Sequence, residues 1–243
     1  MTRMRSAVLA TVSALVLLAG VYISVFVPTE SPKTVSNIHA IRTQFEENIS
    51  LQGGIKAYQQ FLHEPATINE HVAAHIFGES LYAMEGISGV GACGSQFHYG
   101  CFHGFFMQAI SSEGLPVVAA LNRACREASA TPSLECLHGI GHGLSEFMGR
   151  NKLTEALAMC KEIEPALSIE GCLSGAFMEY NVPRVVAEDG TLEVAIRPLP
   201  DTEDPREPCL SVAAEFQTAC YHELPRWWKE LYPERYDTIG DLC

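Results

Sequence analysis

Cys101-Phe102-His103-Gly104-Phe105-Phe106-Met107 and Cys136-Leu137-His138-Gly139-Ile140-Gly141-His142 are two copies of one pattern, set 35 positions apart. Cys172-Leu173-Ser174-Gly175-Ala176-Phe177-Met178 is a third copy 36 positions further on, with serine where the histidine stood. Cys220-Tyr221-His222-Glu223 follows after 48 positions, and Glu70-His71-Val72-Ala73-Ala74-His75 is an earlier unit without the leading cysteine. A second interval is laid over the first. His71 to Cys93, His103 to Cys125 and His138 to Cys160 each span 22 positions, and His222 to Cys243 spans 21.

A period near 35 without strand-like alternation is the mark of two-helix repeats. The flanking segments agree. Leu153, Ala156, Leu157 and Cys160 fall on one helical face, with Pro165 as a stop. Leu115 to Ala128 reads the same way, with Pro116 in its first turn. Each unit is thus expected to hold a helix A, starting near Cys-x-His-Gly, and a helix B ending in cysteine. The fold class read from this pattern is all-α: a disulfide-stapled α-solenoid of two-helix repeats behind a single N-terminal transmembrane helix.

Three regions follow. Residues 1–30 form an N-terminal membrane anchor or a signal peptide. Arg3 and Arg5 precede an uncharged run from Ala7 to Val27, and a helix needs roughly 20 residues to cross a bilayer core. A cleaved signal has a shorter apolar core, and Leu18-Ala19-Gly20 is a weak cleavage site. The arginines stay inside. The chain is therefore expected to be single-pass in the cytoplasmic (inner) membrane, with its bulk extracytoplasmic or periplasmic. Residues 31–66 read as an N-terminal helical cap broken at Gly53-Gly54. Residues 67–243 read as the repeat domain, with an acidic, proline-rich insertion at 187–208. Pro198, Pro200, Pro205 and Pro208 make that insertion a loop or short hairpin, with a brief strand over Thr191 to Ile196. The formal net charge of -13 excludes nucleic acid as a partner, because phosphate contacts need clustered Lys and Arg.

The compartment decides how the 9 cysteines are read. In an exported domain they are disulfide candidates first. Joining each helix B to the next helix A gives Cys93–Cys101, Cys125–Cys136, Cys160–Cys172 and Cys209–Cys220. Cys243 is left over, as a free thiol or for an intermolecular disulfide. Metal thiolates are the competing reading, but the spacings lack the Cys-x2-Cys pattern of zinc sites.

If the A helices stack, two rows of side chains share one face. The first is His71, His103, His138, Ser174 and His222. The second, four positions on, is His75, Met107, His142, Met178 and Arg226. Packed helices lie about 8–10 Å apart, so imidazoles from neighbours can meet. His71, His75, His103, His138 and His142 are the candidate ligands of a transition metal ion: copper, zinc or iron. Methionine in the second row favours copper; Glu179 and Glu223, candidate catalytic bases or ligands, favour zinc or iron. Non-covalent haem held by paired histidines stays open. The competing reading is packing, in which each histidine caps its turn and the following glycine permits close helix contact. His98 is expected at the rim, and His39 and His63 at the surface. Trp227-Trp228 reads as part of a terminal cap or as a binding surface. No phosphate loop, His-Glu-x-x-His, Gly-x-Ser-x-Gly or Cys-x-x-Cys-His occurs. Two functions follow: an extracytoplasmic, membrane-anchored metal-binding protein, with a redox or hydrolytic reaction on a small substrate if it is an enzyme; or a scaffold whose insertion contacts a protein or peptide partner.

Overall fold

The computed structural model describes residues 38–63, 68–128, 134–164, 166–186 and 192–242. The anchor expected at residues 1–30, the ends of the expected cap and Cys243 lie outside them. Among the described residues no helix is long and apolar enough to cross a membrane.

The protein is helical. Helices α1 (Ile38–Gln52) and α2 (Gly54–His63) open the described chain. They are separated by Gly53, whose φ of 82° suits glycine. Phe45, Tyr58 and Phe61 from this pair gather round Phe77 of α3 (Glu70–Glu85), with ring centroids 5.2 to 5.8 Å from it. Asn69 caps α3, its side chain accepting from the backbone N–H of His71 and Val72. Then come α4 (Gly100–Glu113), α5 (Val118–Ala128), α6 (Leu134–Met148), α7 (Leu153–Ile163) and α8 (Cys172–Asn181). Strands β1 (Arg184–Val186) and β2 (Leu192–Val194) form a small antiparallel pair. Helices α9 (Ala214–Leu231) and α10 (Tyr236–Leu242) complete the described chain.

The expected A helices are α3, α4, α6, α8 and α9, and each packs on the next in that order. The B segments are less uniform than the repeat suggests. Only α5 and α7 are α-helices. The first B segment, Gly86–Ala92, is a 3-10 turn rich in glycine, which disfavours an α-helix. Before Cys209 the chain runs through turns, as the prolines of the insertion led one to expect: Pro200, Pro205 and Pro208 remove donors and fix φ.

All four disulfides join the pairs read from the spacing: Cys93–Cys101, Cys125–Cys136, Cys160–Cys172 and Cys209–Cys220. Each closes a loop of 8 to 12 positions, which restricts the unfolded chain by about 3 kcal/mol per bridge in the chain-entropy account. Inside the third loop, buried Glu164 accepts from the backbone N–H of Ser168 and Cys172. A carboxylate at the start of α8 meets the positive end of the helix dipole.

The insertion is anchored to the body. Arg197 is 5% exposed. Its guanidinium lies 3.7 Å from the Trp227 ring centroid, donates to Asn181 and pairs with Glu203. Trp227 Nε1 donates to the Arg197 carbonyl, and Trp228 Nε1 to that of Pro205. The two tryptophans are therefore buried clamps on the insertion. The surface role read from sequence is corrected, because both indole N–H groups and both ring bodies are used internally.

Candidate metal centre

Glycine sets the distance between the helices that carry the histidines. A Cβ on Gly104 would lie 2.7 Å from the carbonyl carbon of His75, and one on Gly78 would lie 2.7 Å from the Phe105 nitrogen. The same reciprocal contact joins α6 to α8. There a Cβ on Gly141 would lie 2.8 Å from the Ala176 nitrogen, and one on Gly175 2.9 Å from the His138 carbonyl carbon. Carbon atoms prefer separations of about 3.5–4.0 Å, so any larger residue would wedge these helices apart. Between α4 and α6, Gly139 and Gly143 lie against Phe102 and Phe106.

At these separations the five histidines meet. His75 Nε2 lies 3.1 Å from His71 Nε2 and 3.3 Å from His103 Nδ1. His142 Nε2 lies 3.2 Å from His138 Nε2. The rings of His103 and His142 have centroids 4.4 Å apart. Two donor sets result, His71/His75/His103 and His103/His138/His142, with His103 common to both. A tetrahedral ion with metal–nitrogen bonds of about 2.0–2.1 Å holds its ligand atoms about 3.3 Å apart. Three nitrogen pairs already stand near that spacing, and within each set every pair lies within 4.8 Å.

The outward-facing nitrogens are held as well. His71 Nδ1 bonds the carbonyl of Phe97 at 2.6 Å, which makes Nδ1 the donor and leaves Nε2 a lone pair. His142 Nδ1 lies 3.0 Å from the Glu179 carboxyl. Ligating histidines are commonly oriented this way, with the far nitrogen on a carbonyl or carboxylate. His103 Nε2, by contrast, is buried without a hydrogen-bond partner among the described residues, and such an atom costs free energy unless something binds it.

Burial disfavours imidazolium, and the like charge of neighbouring histidines adds to it at His75, His103 and His138. His75 and His138 are held down at about 3. Burial also lowers His142, to about 4, and takes His103 well below its ordinary range. Burial pushes the Glu179 carboxyl up to about 7.

The two rows read from sequence line two cavities. One of about 570 Å³ is lined by the whole first row, His71, His103, His138, Ser174 and His222, together with His98, Tyr99, Glu135 and Glu170. The other, about 240 Å³, is lined by the whole second row, His75, Met107, His142, Met178 and Arg226, with His103 and Glu179. His103, Met178 and Arg226 reach both. Glu179 and Glu223 belong to neither donor set. Glu179 sits behind His142, while Glu223 accepts from Ser174 Oγ at 2.6 Å and pairs with Arg226 and His222. Serine at position 174 thus joins a polar network where the column would otherwise hold an imidazole. His98 is exposed at the rim, its ring centroid 6.3 Å from that of His71. His39 and His63 are exposed.

Phe97, His98 and Tyr99 are consecutive left-handed residues, with φ of 54°, 53° and 61°. That conformation costs roughly 1–2 kcal/mol per non-glycine residue. It is held here between Cys93–Cys101 and α3, and it delivers the Phe97 carbonyl to His71. Nothing in Phe97-His98-Tyr99 signals such a turn, because the glycine or asparagine that usually marks one is missing. Gly78 also escapes the repeat alignment, since no other unit carries glycine at its place.

No family model, curated protein or solved structure matches the chain.

Proposed function

We propose that this is an exported, membrane-anchored metal-binding protein whose helical repeats form a short solenoid around a histidine centre. One observation carries the reading. Five imidazoles from three helices converge in two donor sets whose ligand atoms lie within 4.8 Å of one another, three of the nitrogen pairs at 3.1 to 3.3 Å, while far nitrogens of His71 and His142 are bonded to Phe97 and Glu179. The same spacing suits N–H···N hydrogen bonds between the rings; what favours a metal is five imidazoles in two overlapping donor sets, with His103 Nε2 buried and unpartnered among the described residues.

Copper suits the site best among the three metals. Imidazole accepts copper, zinc and iron alike, but thioether sulfur is a soft donor that favours Cu(I). Met107 and Met178 line the cavity with His75, His103 and His142. The two glutamates that would favour zinc or iron are occupied elsewhere. The paired cysteines support an oxidising compartment, and the run from Ala7 to Val27 behind two arginines supports an anchor. Cavities on both sides of the centre leave room for a small polar substrate at an open coordination position, the feature that separates a catalytic site from a closed structural one.

Elemental analysis tests the reading. The full chain, purified with disulfides intact and offered copper, zinc and iron, should carry stoichiometric metal. His138→Ala/His142→Ala should lose part or all of it while keeping its helicity. A wild-type protein that retains no metal would falsify the proposal.

A further inference from the structure

We infer that the centre holds two metal ions bridged by the imidazole ring of His103. The inference rests on the metal-binding reading and adds the number of ions and their connection.

Two three-histidine donor sets share one residue. His103 Nδ1 faces His75 Nε2 at 3.3 Å and so belongs to the first set. Its Nε2 is buried and has no hydrogen-bond partner among the described residues. The rings of His138 and His142 lie beside it, tilted by 36° and 37°, with centroids 5.2 and 4.4 Å away. With Nδ1 turned to His75, the unpartnered Nε2 is the nitrogen His103 has left for the second set. His103 is 2% exposed, so water does not compete for the second nitrogen as it would at a surface histidine.

The chemistry balances without a redox partner. A neutral imidazole binds the first ion through one lone pair. Its remaining ring N–H proton leaves to solvent when the second ion arrives, and the lone pair set free forms the second metal–nitrogen bond. No electrons are transferred. Each ion then has three histidine nitrogens, the shared ring counted once for each, and space for a further ligand from a flanking cavity.

The experiment is a Cu(II) titration of the full chain, disulfides intact, followed by elemental analysis and low-temperature electron paramagnetic resonance on the same samples. The expected result is two coppers per chain with most of the copper signal absent, because a bridging imidazolate couples the two spins. In His103→Ala the coupling should vanish and at least one copper should be lost. One copper per chain, or two with the full uncoupled signal, overturns the bridge and leaves the metal-binding reading standing. No bound copper overturns both. The wild-type spectrum alone decides the bridge if His103→Ala fails to fold.

Discussion

Gly104→Ala should destabilise the protein and open the first donor set, although alanine is the better helix former. Two effects oppose each other. Alanine in a helix interior gains roughly 1 kcal/mol over glycine. The new Cβ, however, would sit 2.7 Å from the carbonyl carbon of His75 and 2.9 Å from its Cα. Ordinary carbon contacts begin about 1 Å further out, so α3 and α4 must separate by about that much. The atoms struck are backbone, so no side-chain rotation relieves the contact. Overpacking of this kind costs about 1–3 kcal/mol and occasionally more; a backbone collision belongs at the upper end, which leaves a net loss of about 2 kcal/mol. For a protein of this length that corresponds to about 4–8 °C in the melting midpoint. The same separation carries His75 Nε2 and His103 Nδ1 from 3.3 Å to beyond 4 Å, past the span of a ligand pair on one ion at about 2.1 Å. Thermal and denaturant unfolding under non-reducing conditions, with metal analysis beside them, measure both effects. Gly91→Ala is the control, since nothing lies within 4 Å of a Cβ there. A Gly104→Ala protein as stable as wild type, with its metal unchanged, would refute glycine as the spacer that sets the histidine geometry.

Three further outcomes are expected. Replacing Cys125 and Cys136 together by serine removes a bridge over 11 positions and should cost about 3 kcal/mol, while unreduced peptide mapping of wild type should recover all four local pairs. Metal-free protein should lose stability as pH falls below about 6.5. Above that value the histidines are neutral in both states and contribute nothing; below it the unfolded chain takes up protons that His75, His138 and His142, held at about 3 to 4, refuse. The slope is up to about 1.4 kcal/mol per pH unit for each histidine, offset in part by Glu146 and Glu179, whose folded carboxyls at about 7 take up protons before the unfolded ones do; the histidines outnumber them, so an unfolding free energy that does not fall between pH 7 and 5 would contradict the reading. Arg197→Ala removes a buried cation from Glu203 and Asn181; a loss of about 3 kcal/mol, with faster limited proteolysis between residues 195 and 212, should follow.

Much of the architecture was legible because its constraints are local in the chain. A disulfide between residues 8 to 12 positions apart needs only a turn between two helix ends, so the cysteine spacing alone identifies the partners. Side chains four positions apart share a helix face by geometry, and both rows read that way line one cavity each. The helix B expected in the first unit was misread, because the repeat marks where the segment ends while Gly86, Gly89 and Gly91 decide what it is; before Cys209 the prolines of the insertion had already ruled a continuous helix out. Trp227 and Trp228 could be read as a terminal cap or as a binding surface because their partners, Arg197 and Pro205, are 30 and 23 positions away and carry no spacing signal.

The sequence by itself determined the helical class, the four disulfides and the identity of the five histidines on one face. Only the tertiary structure decided that their nitrogens meet. That distance depends on how closely α3, α4, α6 and α8 approach, and the approach is set where Gly78, Gly104, Gly141 and Gly175 lie against the neighbouring backbone. Periodicity places a residue on a face; it does not measure the gap to the next helix. The structure also singled out His103, the one histidine without a partner four residues along, as the ring common to both donor sets, because its helix lies between the two that carry the pairs.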